Sequence, residues 1–213
     1  MRNYCLLLIC MLFSSLSLSA QDKELEKYAP EVQEISSPDF EWGQFDSKKA
    51  RCRFKKNALE LECRVNGDYA CTYTELELDP INVDFILSFQ MEVDKLDDNH
   101  CFGIVFDYKN LKNFKALCFG KKQFAVVTYE DGDRAIVKEG LYKLDNKKEP
   151  MITLKKKGKR LDFYVGNQYL SLTTLKNCEI TSPSIGFYVE NVTKISATGL
   201  GYRVILHNEE ETE

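Results

Sequence analysis

The chain has 213 residues, with 29 Lys and Arg against 33 Asp and Glu, so it is long enough for one domain with a substantial core and slightly acidic, at a formal charge of −4. That balance excludes a nucleic-acid binder built on a basic stripe. Past residue 20 no apolar run approaches the length of a membrane span, which excludes a helical membrane protein.

Residues 1–20 carry one cation, Arg2, then an apolar run from Cys5 to Phe13, then a small polar end closing on Ser19-Ala20. This is the pattern of a secretory signal peptide cut after Ala20. Leu-Leu-Ile before Cys10 lacks the small residue of a bacterial lipoprotein signal, so no lipid anchor is expected. The expected location is secreted or periplasmic, where disulfides form. Cys52, Cys63, Cys71, Cys101, Cys118 and Cys178 follow the signal, without CxxC or CxxH spacing, so no zinc site is expected.

Residues 21–39 read as a charged leader broken by Pro30 and Pro38, with one helical turn near Glu24 to Tyr28. Phe40, Trp42 and Phe45 supply the first aromatic anchors. Strands are predicted over 49–54 and 58–65 around Lys55-Lys56-Asn57, and over 71–78. Residues 83–93 alternate most cleanly: Val83, Phe85, Leu87, Phe89, Met91 and Val93 share one face, with only Ile86 out of pattern. Asp94 to Asn99 make an acidic loop. A meander of three strands follows, with Phe102, Ile104 and Phe106 on one face and Cys101, Gly103, Val105 and Asp107 on the other. Its second and third strands are 114–119 and 124–129. The pairing makes Cys101 and Cys118 a candidate disulfide, against the alternative of buried free thiols.

Residues 134–137 read as a short strand and 140–149 as a polar loop. In a second meander, a turn at Lys157-Gly158 pairs Leu154 with Leu161 and Ile152 with Phe163. A turn at Gly166-Asn167 then pairs Phe163 with Leu170 and Leu161 with Leu172. Lys121-Lys122 and Lys155-Lys156-Lys157 read as solvated hairpin tips. Strands over 184–190 and 193–206 close the fold, the last with a parity change at Gly199-Leu200-Gly201 that predicts a β-bulge. The acidic tail 208–213 is expected to be disordered. The pattern defines an all-β, two-sheet antiparallel sandwich over residues 40–207, a jelly roll.

Gly103 to Tyr108 with Asn113-Phe114, Leu161 to Asn167, and Ile185 to Val189 (Ile-Gly-Phe-Tyr-Val) resemble the scaffold motifs of the concanavalin A-like lectin/glucanase superfamily. The resemblance covers about Phe40 to Leu206. It implies two stacked antiparallel sheets and relatives among laminin-G-like modules, lectins, family 16 glycoside hydrolases and 3-keto-disaccharide hydrolases.

Glycoside hydrolysis uses two carboxylates at a set separation. Glu75-Leu76-Glu77-Leu78-Asp79 departs from the E-x-D-x-E order of family 16, and 114–119 lacks the acid of the keto-disaccharide hydrolases. His100 and His207 have no evident catalytic partners. No catalytic residue is therefore assigned. Asp94, Asp97, Asp98 and Asn99 are weak candidates for calcium; no cofactor is expected. Trp42, Tyr108, Tyr129 and Tyr188 are candidates to stack on sugars, with Trp42 and Tyr129 singled out. The expected function is a non-catalytic module that binds a glycan or an envelope partner protein. The alternatives are a hydrolase or lyase with an unrecognised pair such as Asp98 and Asp131, and a purely structural envelope protein.

Overall fold

The computed structural model describes residues 25, 27–94, 101–142 and 150–206. The segment expected to be a signal peptide, Asp97 to His100, most of the polar loop, His207 and the acidic tail lie outside them. Strands β1 (Gln33–Glu34), β2 (Phe45–Asp46), β3 (Ala50–Lys55), β4 (Ala58–Cys63) and β5 (Tyr69–Glu75) come first. Next are β6 (Asp84–Val93), β7 (Cys101–Asn110), β8 (Asn113–Phe119), β9 (Gln123–Glu130) and β10 (Asp133–Leu141). The last are β11 (Met151–Lys157), β12 (Arg160–Val165), β13 (Leu170–Leu175), β14 (Ser184–Glu190) and β15 (Lys194–Ile205). Pairing is antiparallel throughout the two sheets. One runs β13-β12-β11-β6-β15-β4-β3-β2, with β1 also on β15; the other runs β10-β9-β8-β7-β14-β5.

Period-two alternation puts one apolar row of each strand between the sheets. Phe85, Leu87, Phe89 and Met91 of β6 meet Phe102, Ile104 and Phe106 of β7 and Ile185, Phe187 and Val189 of β14 in one buried core. Fully burying each such side chain contributes about 1.5–3 kcal/mol. Both central strands carry the face assignment expected from sequence. The bulge in β15 is also present, as a register shift between Ala197 and Gly199 against β6.

The second meander keeps its core face but not its register. β11 and β12 turn at Gly158-Lys159, so Leu154 faces Phe163 and Ile152 faces Val165. Gly158 takes the left-handed conformation (φ 56°) that fixes the turn there. Lys155 and Lys156 are consequently buried strand residues rather than hairpin tips, and the Lys156 ammonium donates to the Val83 carbonyl at 2.8 Å. The next turn spans four residues, with the Tyr169 amide donating to the Gly166 carbonyl. A register shift between Phe163 and Tyr164 then pairs Leu161 with Leu175 and Phe163 with Thr173. Leu170, expected in the core, is 57% exposed.

The leader joins the fold. β1 pairs with β15, and Ile35 enters the main core. Leu25, in helical conformation, is buried on the outer face of the larger sheet against Ile86 and Tyr164. That explains why Ile86 breaks the alternation of β6: both of its faces are covered. Gly199 and Gly201 let the leader approach. A β-carbon on Gly201 would lie 2.6 Å from the Glu31 carbonyl oxygen, and one on Gly199 would lie 2.5 Å from Val32 Cγ1. Gly201→Ala is therefore expected to push the leader off β15 and cost about 1–3 kcal/mol, as overpacking does. Urea melts with limited proteolysis at residues 27–35 check this; unchanged stability and protection would refute the close approach.

Candidate functional site

The outer face of the six-stranded sheet carries a second core of its own. Its floor is small: Gly103, Val105, Ala116, Cys118 and Gly186. Over it lies a layer of aromatic rings. Phe114 stacks on Tyr129 at 4.3 Å between centroids, Tyr69 touches Phe114, Tyr129 and Tyr188, and Tyr73 stacks on Tyr108 at 4.2 Å. Tyr188 sits opposite Gly103 and Tyr73 opposite Gly186, so the rings lean over residues without side chains.

Tyr108 reaches this layer by a break in the strand. Strict alternation sends it inward with Phe102, Ile104 and Phe106. The register of β7 against β8 is broken between Phe106 and Asn110, and Asp107 is left-handed (φ 53°), which turns Tyr108 to the outer face. The Asp107 carboxylate holds the break in place. Oδ1 accepts the Thr181 amide at 2.7 Å, the Ser182 amide at 2.9 Å and the Thr181 hydroxyl, and Oδ2 meets the Lys115 ammonium at 2.6 Å.

Tyr129, one of the two glycan candidates, belongs to this layer and is nearly buried. Its hydroxyl lies 3.0 Å from that of Tyr188 and 3.3 Å from Glu190 Oε1. Glu190 also accepts the Tyr188 hydroxyl and lies 3.5 Å from Arg134 Nε. Burial pushes both phenols up, so each stays a protonated donor to the carboxylate. Glu190 is thus engaged as an anchor for the tyrosines.

Cys101 and Cys118 lie beside this cluster as free thiols, as are the other described cysteines. The expected bridge is not formed. Cys118 faces Gly103, which makes Cys101 a diagonal neighbour, and diagonal positions sit about 7–8 Å apart, beyond ordinary disulfide reach. Interaction with the Cys118 thiol, together with burial, raises the Cys101 pKa and keeps it a protonated thiol.

Trp42, the other glycan candidate, is in the inter-sheet core. Its ring packs 5.5 Å from Phe187, and its indole N–H donates to the Ile35 carbonyl at 3.1 Å. A ring with both faces covered cannot stack on a sugar, so Trp42 is corrected to a core residue. The acids at 75–79 also dissolve as a site. β5 ends at Glu75, Leu76 is buried, and Asp79 caps a turn by accepting the Ile81 amide and the Asn82 side chain. Of the acidic loop, Asp94 pairs with Lys194 at 2.9 Å, and Asp97, Asp98 and Asn99 lie outside the described residues. Among the described residues, no group of three or more His, Cys, Asp or Glu side chains is placed to hold a metal.

An open cleft lies at one end of the aromatic layer. There the β5 edge of the smaller sheet meets the β2–β3 edge of the larger one. The cleft between them is about 320 Å³, at the lower end of the ~300–1,000 Å³ usual for small-ligand sites. Its lining joins Tyr69, Ala70, Cys71, Thr72 and Tyr73 of β5, with Tyr108 and Leu111 beside them, to Phe45, Ser47 and Ala50 of the β2–β3 edge. The Thr72 hydroxyl donates to the Gly43 carbonyl and the Tyr69 hydroxyl to the Leu111 carbonyl, which ties both rims to β5 or its neighbours. Tyr73 is 41% exposed and Phe45 37%. Burial pushes the Cys71 thiol up to about 12, so it is no nucleophile. Sequence reasoning missed Phe45 and Tyr73 as site residues. The one available signal was the alternation Tyr69, Cys71, Tyr73, which puts two aromatics on a single face of β5.

The two-sheet antiparallel jelly roll agrees with the fold that the concanavalin A-like resemblance implies, and solved structures share it. The carbohydrate-binding module CBM66 from Bacillus subtilis superposes with a TM-score of 0.57 at 12% identity, over 75% of this chain and 94% of that one. The exoplasmic/lumenal domain of VIP36, in a form bound to Ca2+ and Man3GlcNAc, gives 0.56 at 6% identity, over 83% and 91%. A xylan β-1,4-xylosidase from Bacillus halodurans gives 0.60 at 10% identity, over 82% of this chain but only 39% of the enzyme. At these identities the likeness is one of fold. No protein-family model and no curated protein sequence matches the chain. Among the described residues no helix is long and apolar enough to cross a membrane.

Proposed function

We propose that the protein is an exported, non-catalytic module that binds a glycan in the cleft between β5 and the β2–β3 edge. The observation that carries this reading is the cleft itself, lined by partly exposed aromatic rings from both sheets and, among the described residues, by no carboxylate, histidine or lysine. Flat rings suit the C–H faces of sugars, and a hydrolase would need a pair of carboxylates there. The carbohydrate-binding module and lectin among the neighbours support the class of ligand; the signal-like residues 1–20 support export. The test is a glycan array with and without calcium, followed by titration of Tyr73→Ala and Phe45→Ala. Each substitution is expected to weaken binding about tenfold, the equivalent of ~1.4 kcal/mol. Retention of full affinity by both variants would remove the cleft from the mechanism. Turnover of an aryl glycoside or polysaccharide would refute the non-catalytic reading.

A further inference from the structure

The Tyr108 ring lines the cleft and is only 7% exposed. Its hydroxyl makes no hydrogen bond among the described residues, whereas the Tyr69, Tyr129 and Tyr188 hydroxyls all do. The ring is packed away while the residue borders the cleft, so the hydroxyl keeps a donor and an acceptor site for a ligand or for water. Burial raises the phenol pKa, so the group remains a donor. Of the other polar side chains in the lining, Ser47 Oγ donates to the Ala50 carbonyl and Thr72 Oγ1 to Gly43, while Tyr73, at 41% exposure, presents its hydroxyl where water reaches it. Among the described residues no charged side chain lines the cleft. A carboxylate or sulfate entering it would lose its water without gaining a counter-charge.

From these observations, and resting on the glycan reading above, we propose that Tyr108 is the specificity-determining hydrogen-bond donor of the cleft and that the ligand is an uncharged sugar. One pyranose enters between Phe45 and Tyr73, its apolar face on the rings, and a hydroxyl or ring oxygen accepts from Tyr108. Acidic sugars are rejected because nothing in the lining offsets their charge.

Tyr108→Phe separates this role from packing, since it keeps the ring and removes only the hydroxyl. Calorimetric titrations would use neutral gluco-, manno-, galacto- and xylo-configured trisaccharides beside oligogalacturonates. At least one neutral trisaccharide is expected to bind, and the oligogalacturonates are not. Tyr108→Phe is expected to weaken the neutral sugar about tenfold with the melting temperature unchanged or raised, because a hydroxyl without a partner contributes nothing to folding. Full affinity in Tyr108→Phe, with binding still lost in Tyr73→Ala, would overturn the role of Tyr108 and leave the glycan reading standing. Oligogalacturonate binding tighter than any neutral sugar would overturn the charge argument in the same way. Binding of none of the sugars, or binding of an apolar peptide instead, would overturn both.

Discussion

Gly186→Ala is expected to cost about 4 kcal/mol or more, at the upper limit for a single substitution. A β-carbon built on Gly186 lies 1.9 Å from the Thr72 carbonyl oxygen and 2.7 Å from Tyr73 Cα. Both obstacles are backbone of the neighbouring strand β5, so no side-chain rotation relieves them. The sheet must open between β14 and β5, and β5 carries Tyr69 to Tyr73 of the cleft lining. Gly103 meets the same obstacle from β8, with the Leu117 carbonyl oxygen at 1.9 Å, and Gly103→Ala is expected to behave alike. Gly43 is the control. It has nothing within 4 Å of a built β-carbon, and Gly43→Ala is expected to stay within about 0.5 kcal/mol of the parent. Urea melts decide the matter. If Gly186→Ala and Gly43→Ala melt together, the close strand approach is wrong.

These glycines show how far the sequence could be read. Alternation identified the inner rows of β6, β7 and β14, because one buried face of a strand demands apolar residues at every second position. The opposite rows of β7 and β14 look weakly apolar: Cys101, Gly103, Val105 and Gly186. A strand with such a row reads as solvent-facing, yet both are buried on both faces. The covering rings come from Tyr69, Phe114 and Tyr129 on other strands, and alternation within one strand carries no information about what a distant strand lays over it. The turn positions failed for a related reason. Lys157-Gly158 and Gly158-Lys159 are equally good two-residue turns in sequence, and the choice is bound up with contacts from elsewhere, including the Asp84 carboxylate accepting the Gly158 amide at 2.7 Å.

The candidate site was less legible than the scaffold. Trp42 and Tyr129 were reasonable choices by residue type, because large rigid aromatics serve both cores and binding sites. Which role a ring takes depends on whether something covers it. Ile35 and Phe187 engage Trp42, while Tyr69, Phe114 and Tyr188 enclose Tyr129. Tyr73 and Phe45 remain partly open because they lie at sheet edges, and edge position follows from strand order, which no local pattern encodes. Tyr108 was among the sugar-stacking candidates, but its place in the cleft follows from the bulge at Asp107. The only local hint was a residue type that tolerates left-handed backbone just before a turn.

Phe163→Ala and Tyr164→Ala are expected to cost similar amounts, each about 3–5 kcal/mol, although the two side chains point to opposite faces of β12. Phe163 faces Leu154 and Thr173 within its sheet, and its ring lies 5.5 Å from that of Phe106 across the sandwich. Alternation alone sends Tyr164 toward solvent and predicts a much smaller loss. In the fold it is as buried as Phe163, at 1% exposure, because Leu25 closes over it together with Ile86, and Tyr28 and Tyr169 pack around them. The two losses therefore have different origins, and a double-mutant cycle with Leu25→Ala separates them. Tyr164 and Leu25 share one small cluster, so their effects are expected to be non-additive by about 0.5–3 kcal/mol. Phe163 and Leu25 lie on opposite faces of the sheet and are expected to add within about 0.5 kcal/mol. A small loss for Tyr164→Ala, or additivity with Leu25→Ala, would mean that the leader does not cover the outer face in solution. The sandwich would then begin near Phe40, where the aromatic run starts in the sequence.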